Sequence, residues 1–99
     1  MNNPFIQIGD RKIGVGYPCF IVAEVSANHN QRFEKAVEII KAAAKAGVDA
    51  IKLQTYTPDT ITINSDKEWF RIGGKDNPDS WKVQTLYDLY KTAYTPWEW

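Results

Sequence analysis

The sequence is poor in the residues that usually announce a protein's class. Of its 99 residues, one is cysteine and one is histidine, and 12 basic side chains balance 12 acidic ones to leave no formal net charge. A single cysteine, Cys19, excludes an internal disulfide framework and fits a reducing compartment, so a cytoplasmic location is expected. One histidine without a second cysteine or histidine cannot form a zinc-type site from this chain alone. With no excess of lysine and arginine there is no footprint for nucleic acid or an anionic membrane surface, and neither is expected as a partner. The longest apolar runs, Phe20-Ile21-Val22-Ala23 among them, fall far short of the roughly 20 residues a membrane helix needs. No basic segment leads into an apolar stretch at the start, so no secretory leader is expected. Gly14, Gly16, Gly73 and Gly74 do not follow dinucleotide or P-loop spacing and receive turn roles only. Neither a Gly-x-Ser-x-Gly elbow nor an HExxH pair occurs.

What is present is an α/β pattern. Phe5 to Ile8 and Arg11 to Ile13 read as two short strands joined by Gly9-Asp10, a pairing suited to a tight hairpin. After Gly14, Gly16 and Pro18, the continuous apolar run Cys19 to Val25 predicts a strand buried on both faces, as in a parallel sheet. In it Cys19 is most simply a small hydrophobe. The polar turn Ser26-Ala27-Asn28-His29-Asn30 follows, with Asn30 as the expected helix N-cap. Phe33, Ala36, Val37, Ile40, Ala43, Ala44 and Gly47 then recur at the spacing of one buried helix face. Glu34 near its start and Lys41 and Lys45 near its end suit the helix dipole, and Gly47 is placed to be the left-handed C-terminal cap. Ala50 to Tyr56 reads as another strand. Strand, amphipathic helix and strand make one βαβ unit, expected to be parallel with a right-handed crossover.

Thr57 to Ser80 is mostly polar punctuation, and a connection of that length is more often functional than idle. Trp81 to Tyr94 predicts a helix with an apolar stripe of Val83, Leu86, Tyr87, Tyr90, Ala93 and Tyr94. Thr95-Pro96-Trp97-Glu98 carries the signature of another helix start, with Thr95 as N-cap, proline at the first helical position and Glu98 completing a capping box. Only Trp99 follows, so the reading expects a chain cut within a longer protein. All four tryptophans and eight of the thirteen aromatic residues lie from Trp69 onward, ring surface that asks for a packing partner.

Alternation along the strands puts Val22, Glu24 and Ser26 on one face, and Lys52 and Gln54 on the polar face of the next strand. Glu24 and Lys52 are charges in strands that otherwise read as buried. A mutually satisfying ion pair explains them, but desolvating two charges seldom stabilises a fold. Their place at the carboxyl ends of the strands, near Gln54 and the Ser26-Asn28-His29 turn, favours a polar substrate pocket. Both readings can hold together. A lysine there suits a carboxylate or phosphate, and a glutamate suits proton transfer or a sugar hydroxyl. His29 is expected to order the turn or line the pocket rather than bind metal.

With these residues placed, the stretches "FIVAEVSANHN" and "AAAKAGVDAIKLQTYTPDT", with the spacing between them, resemble the sialic acid synthase family. "INSDKEWF", "IGGKD" and "LYDLYKTAYTPWEW" are similar to its pseudaminic acid branch. The resemblance implies the opening βαβ units of a (β/α)₈ barrel, preceded by a short hairpin, with the remaining barrel and an antifreeze-like domain outside these 99 residues. It implies a cytoplasmic homodimer that condenses phosphoenolpyruvate with an amino sugar, here a 2,4-diacetamido-2,4,6-trideoxyhexose, to a nine-carbon nonulosonic acid, releasing phosphate. A divalent metal, manganese or magnesium, polarises the sugar aldehyde in such enzymes, through ligands that this chain does not contain. Carried over by position, Glu24 matches an acid/base and sugar-contacting glutamate, Lys52 a phosphoenolpyruvate-binding lysine and Gln54 a sugar-contacting glutamine. Asn28 and His29 match the turn after the first barrel strand and are taken as substrate-binding. A loop asparagine of some relatives falls near Asn77. Two other readings stand beside this one. The first is an N-acetylneuraminate or legionaminic acid synthase; the second is a small non-catalytic interaction module using its aromatic C-terminal half.

Overall fold

The computed structural model describes residues 3–73, 76, 78 and 84–99. Its elements run β1 (Phe5–Ile8), β2 (Arg11–Gly14), β3 (Val22–Glu24), α1 (Phe33–Ala46), β4 (Ala50–Lys52), α2 (Pro58–Ile61), a 3₁₀ turn at Glu68–Phe70 and α3 (Leu86–Tyr90). The hairpin forms as the sequence predicts, one residue longer, with Ile8 opposite Arg11 and Phe5 opposite Gly14. Gly9 occupies the first central position of the turn at φ 59°, a conformation that favours glycine.

β3 and β4 pair in parallel, Val22 with Ala50, Ala23 with Ile51 and Glu24 with Lys52, and α1 connects them. This is the expected βαβ unit. Among the described residues no further strand joins the pair, so the sheet is open rather than a closed barrel. That openness corrects the expectation of a strand buried on both faces. Val25 is buried, but Ile21 and Val22 are about half exposed, at 51% and 46%. Cys19 is exposed as well. β3 and β4 each run for three residues, with backbone bonds from Val25 to Lys52 and from Ala50 to Ile21 at their two ends.

α1 ends as predicted, at Gly47 with φ 91°, where the cap N–H reaches the carbonyls of Ala43 and Ala44. Its start differs: Arg32 is the N-cap and makes no side-chain cap bond. Asn30, the expected cap, instead has a positive φ of 50° inside the preceding turn. The interval after β4 contains more structure than its composition suggests, since Thr57 and Thr60 form a reciprocal capping box around α2.

The helix expected from Trp81 to Tyr94 is one short helix in the described residues, and positions 81–83 lie outside them. Gln84 and Thr85 are drawn into extended pairing instead: the Ile72 N–H donates to the Gln84 carbonyl, and Thr85 bridges Arg71. Thr85 then caps α3, its hydroxyl accepting from the Asp88 N–H at 3.2 Å. Ile72, Leu89 and Ala93 form a small buried cluster with Ala27, Leu86 and Tyr90 against it. Through Ala27 this cluster touches the turn that follows β3.

Candidate functional site at the carboxyl ends of the parallel strands

Register brings Glu24 and Lys52 together. They are the last residues of β3 and β4 and stand directly opposite each other, on neighbouring strands where parallel pairing aligns side chains on one face. Lys52 Nζ lies 2.9 Å from Glu24 Oε1, with the two side chains 58% and 57% exposed. The sequence suggested a desolvated pair; this one is open to solvent. An exposed pair contributes only about 0.2–1 kcal/mol, so an arriving anion can take over the ammonium at small cost.

The strand ends are held from the opposite side by Asp49, which the sequence reading passed over. Its Oδ2 accepts the Ile21 N–H at 2.9 Å, and its Oδ1 is paired with Arg11 of β2. The Ile21 N–H and the Arg11 guanidinium hold the Asp49 carboxyl below its ordinary value. Asp49 therefore fastens the hairpin to the βαβ unit at the amino ends of the strands, fixing the register that sets Glu24 beside Lys52. Its place directly before an alternating strand was the only signal for it.

The turn after β3 is unusually contorted. Ser26, Asn30 and Gln31 all have positive φ, at 53°, 50° and 60°, a region that side chains other than asparagine, aspartate and glycine seldom enter. Such conformations persist where surrounding contacts over-determine them, and the contacts here are specific. His29 is fully buried. Its Nδ1 accepts the Gln31 backbone N–H at 3.1 Å, and its Nε2 lies 3.0 Å from Thr95 Oγ1. Since Nδ1 accepts, the ring proton sits on Nε2, which donates to Thr95. Burial holds the His29 pKa below its ordinary value.

The same turn grips the C-terminal segment in two more ways. Gln31 Nε2 donates to the carbonyls of Thr92 and Tyr94, both at 2.6 Å. In a continuing helix the Thr92 carbonyl would need the N–H of residue 96, which is proline and has none. Gln31 supplies the missing donor. From the other strand, the Gln54 carbonyl accepts the Thr95 N–H at 2.7 Å, and the Tyr56 hydroxyl donates to the Ala93 carbonyl. Thr95 was expected to cap a helix; its hydroxyl instead meets His29, and Trp99 closes edge-on against both His29 and Phe33, at 5.0 and 5.6 Å between ring centres.

Of the five residues singled out from sequence, Glu24 and Lys52 touch, and Gln54 and His29 are joined indirectly through Thr95. Asn28 is exposed at the turn, its backbone N–H donating to the Val25 carbonyl at 3.3 Å. His29 is buried and both its ring nitrogens are engaged within the protein. Asn77 lies outside the described residues. A cleft of about 220 Å³ lies beside the turn, lined by Ala27, Asn30, Gln31, Leu89, Thr92 and Ala93, and none of the five lines it. Among the described residues no three histidine, cysteine, aspartate or glutamate side chains converge to hold a metal ion.

Residues 39–99 match the family model described as the NeuB family. The chain belongs to that family. Over 95% of its length it is 58% identical to the pseudaminic acid synthase of Campylobacter jejuni, a match that takes in both parallel strands. It is 48% identical, over 83% of its length, to the pseudaminic acid synthase of Helicobacter pylori. It is 35% identical, over 84%, to the N,N'-diacetyllegionaminic acid synthase of Legionella pneumophila. The chain spans about a quarter of the length of these relatives, 26%, 23% and 22% respectively. All three are named for the synthesis of a sugar acid. No helix among the described residues is long and apolar enough to cross a membrane.

Proposed function

We propose that this NeuB-family chain supplies the first βαβ unit of a pseudaminic acid synthase with a (β/α)₈ barrel. The enzyme would condense phosphoenolpyruvate with a 2,4-diacetamido-2,4,6-trideoxyhexose to a nine-carbon acid and release phosphate. The observation that carries this reading is the 58% identity to the Campylobacter enzyme across nearly the whole chain, against 35% to the legionaminic acid synthase.

In this reading Lys52 holds the carboxylate or phosphate of phosphoenolpyruvate as a mobile point charge. Glu24 contacts the sugar and moves a proton at its reacting end, as a carboxylate within hydrogen-bond reach of a substrate can. Their mutual pairing at 2.9 Å keeps both in place until substrate divides them. Gln54 and Asn28 would contact the sugar from the flanking positions. Among the described residues no set of side chains would hold a divalent cation; its ligands, which would let it supply Lewis-acid assistance at the sugar aldehyde, are assigned to other parts of the enzyme, as is the homodimer contact. A barrel needs about 250 residues, so the 99-residue chain alone is expected to be inactive.

The test is to express the complete open reading frame containing this chain and to follow phosphate release from phosphoenolpyruvate with each candidate sugar. Turnover with the 2,4-diacetamido-trideoxyhexose of the pseudaminic series, and a product of the matching mass, is the expected result. Turnover confined to N-acetylmannosamine or the legionaminic precursor would transfer the assignment to that branch. No turnover with any of them would overturn the synthase reading.

A further inference from the structure

His29 is the most deeply buried polar side chain among the described residues, at 0% exposure, and the proposed chemistry does not use it. Its surroundings specify one protonation state. The Gln31 N–H points at Nδ1, and the Thr95 hydroxyl receives the proton on Nε2. A proton added at Nδ1 would set two donors face to face and leave a buried cation whose two ring nitrogens meet a peptide N–H and a hydroxyl rather than a carboxylate. The groups packed on the ring are the Gln31 peptide, the Thr95 hydroxyl and the Trp99 indole, all uncharged. Arg32 and Glu98 are the charged side chains of the two segments that meet there, and burial lowers the basicity of the ring.

What His29 holds in place connects the two strand ends. Thr95, its partner, donates its N–H to the carbonyl of Gln54, two residues beyond Lys52. The turn carrying His29 begins two residues after Glu24. Segment 92–99 thus lies across the ends of β3 and β4, with Thr95 bonded to the His29 imidazole through its hydroxyl and to the Gln54 carbonyl through its N–H, and with Gln31 and Tyr56 holding the carbonyls of Thr92, Tyr94 and Ala93.

We infer that His29 is a positioning residue whose neutral, Nε2-protonated imidazole latches segment 92–99 across the ends of β3 and β4, and that one protonation at Nδ1 opens the latch. Its relevance to catalysis rests on the reading that places the site at those strand ends; the latch itself can be tested without that reading. Opening it releases the Thr95 hydroxyl, lifts Trp99 from the ring and frees the Gln54 carbonyl, while the Glu24–Lys52 pairing depends on strand register and survives.

The His29 ring nitrogens are read in a long-range ¹H–¹⁵N spectrum of the complete polypeptide, assigned by the signals that His29→Gln removes. The expected spectrum at pH 7.5 shows a protonated Nε2 and an unprotonated Nδ1. On acidification the ring should titrate below the ordinary histidine value of about 6.5, and the Trp99–His29 and Trp99–Phe33 cross-peaks should vanish at the same midpoint. Thr95→Val should lose those cross-peaks at neutral pH and Thr95→Ser should restore them. If the valine variant does not fold, the titration of the unaltered chain decides. An Nδ1-protonated ring, an averaged tautomer, or cross-peaks that persist in the protonated form would overturn the latch. Phosphoenolpyruvate turnover by the complete polypeptide, measured separately, bears only on the synthase reading.

Discussion

Glu24→Gln separates a catalytic carboxylate from a structural one, because the structure assigns the two roles very different magnitudes. The substitution keeps shape and hydrogen-bonding capacity and removes one charge. Glu24 and its partner Lys52 are each more than half exposed, so their pairing stabilises the fold by about 0.2–1 kcal/mol at most. The chain is 26% of the length of its Campylobacter relative; in a polypeptide of that relative's length 1 kcal/mol corresponds to at most about 2–4 °C in melting temperature, and the variant should melt within that range of the parent. A general acid–base group contributes about 10²–10⁴-fold to turnover, or about 3–5 kcal/mol of barrier at 1.36 kcal/mol per tenfold change. The expected result is a turnover loss of at least about a hundredfold beside a small thermal shift. The assay is paired: phosphate release by the complete polypeptide, and a melt of the same preparation. Turnover within about tenfold of the parent, accompanied by a melting loss well beyond about 4 °C, would refute the argument and return Glu24 to a purely structural role.

Three further outcomes follow from the same geometry. Lys52→Ala should raise KM for phosphoenolpyruvate more than tenfold while altering the melting temperature little, since only an exposed partner is removed; an unchanged KM argues against the lysine as an anion holder. Gly47→Ala should destabilise by about 1 kcal/mol, because no atom lies within 4 Å of the added methyl and the whole effect is the left-handed φ of 91°; Gly47→Asn should recover part of it, and an alanine variant as stable as the parent would contradict the cap. Asp49→Asn tests the hairpin junction through pH. The Asp49 carboxyl is held below its ordinary value, so its contribution is complete above the unfolded carboxylate pKa and is lost as pH falls through the lower folded one. Melting temperature should therefore fall on acidification in the parent more steeply than in the variant, and parallel profiles would show that Asp49 does not carry the acid sensitivity.

The residues legible in the sequence were those whose role follows from local periodicity. The hairpin was visible at Gly9-Asp10, the helix at its 3.6-residue apolar recurrence, its end at Gly47, and Glu24 and Lys52 as charges interrupting apolar strands. Each is a property of neighbours along the chain. The helix from Trp81 failed for the complementary reason: its apolar stripe is real, but Gln84 and Thr85 find extended partners at Ile72 and Arg71, and long-range pairing overrides a local pattern. Asn30 failed as a cap because the turn ahead of α1 is shaped by contacts to the C-terminal segment.

The sequence by itself thus determined the βαβ unit, the family to which the chain belongs and the residue types at the strand ends, because strand alternation, helical period and motif spacing are all written in local order. Only the tertiary structure decided that Glu24 and Lys52 stand in register and in solvent. It also decided that Asp49 bolts the hairpin beneath them, and that His29 is buried with both ring nitrogens hydrogen-bonded. Those outcomes depend on contacts between residues far apart in the chain, 66 positions in the case of His29 and Thr95. No window of sequence contains both ends of such a bond, so its geometry exists only once the chain has folded.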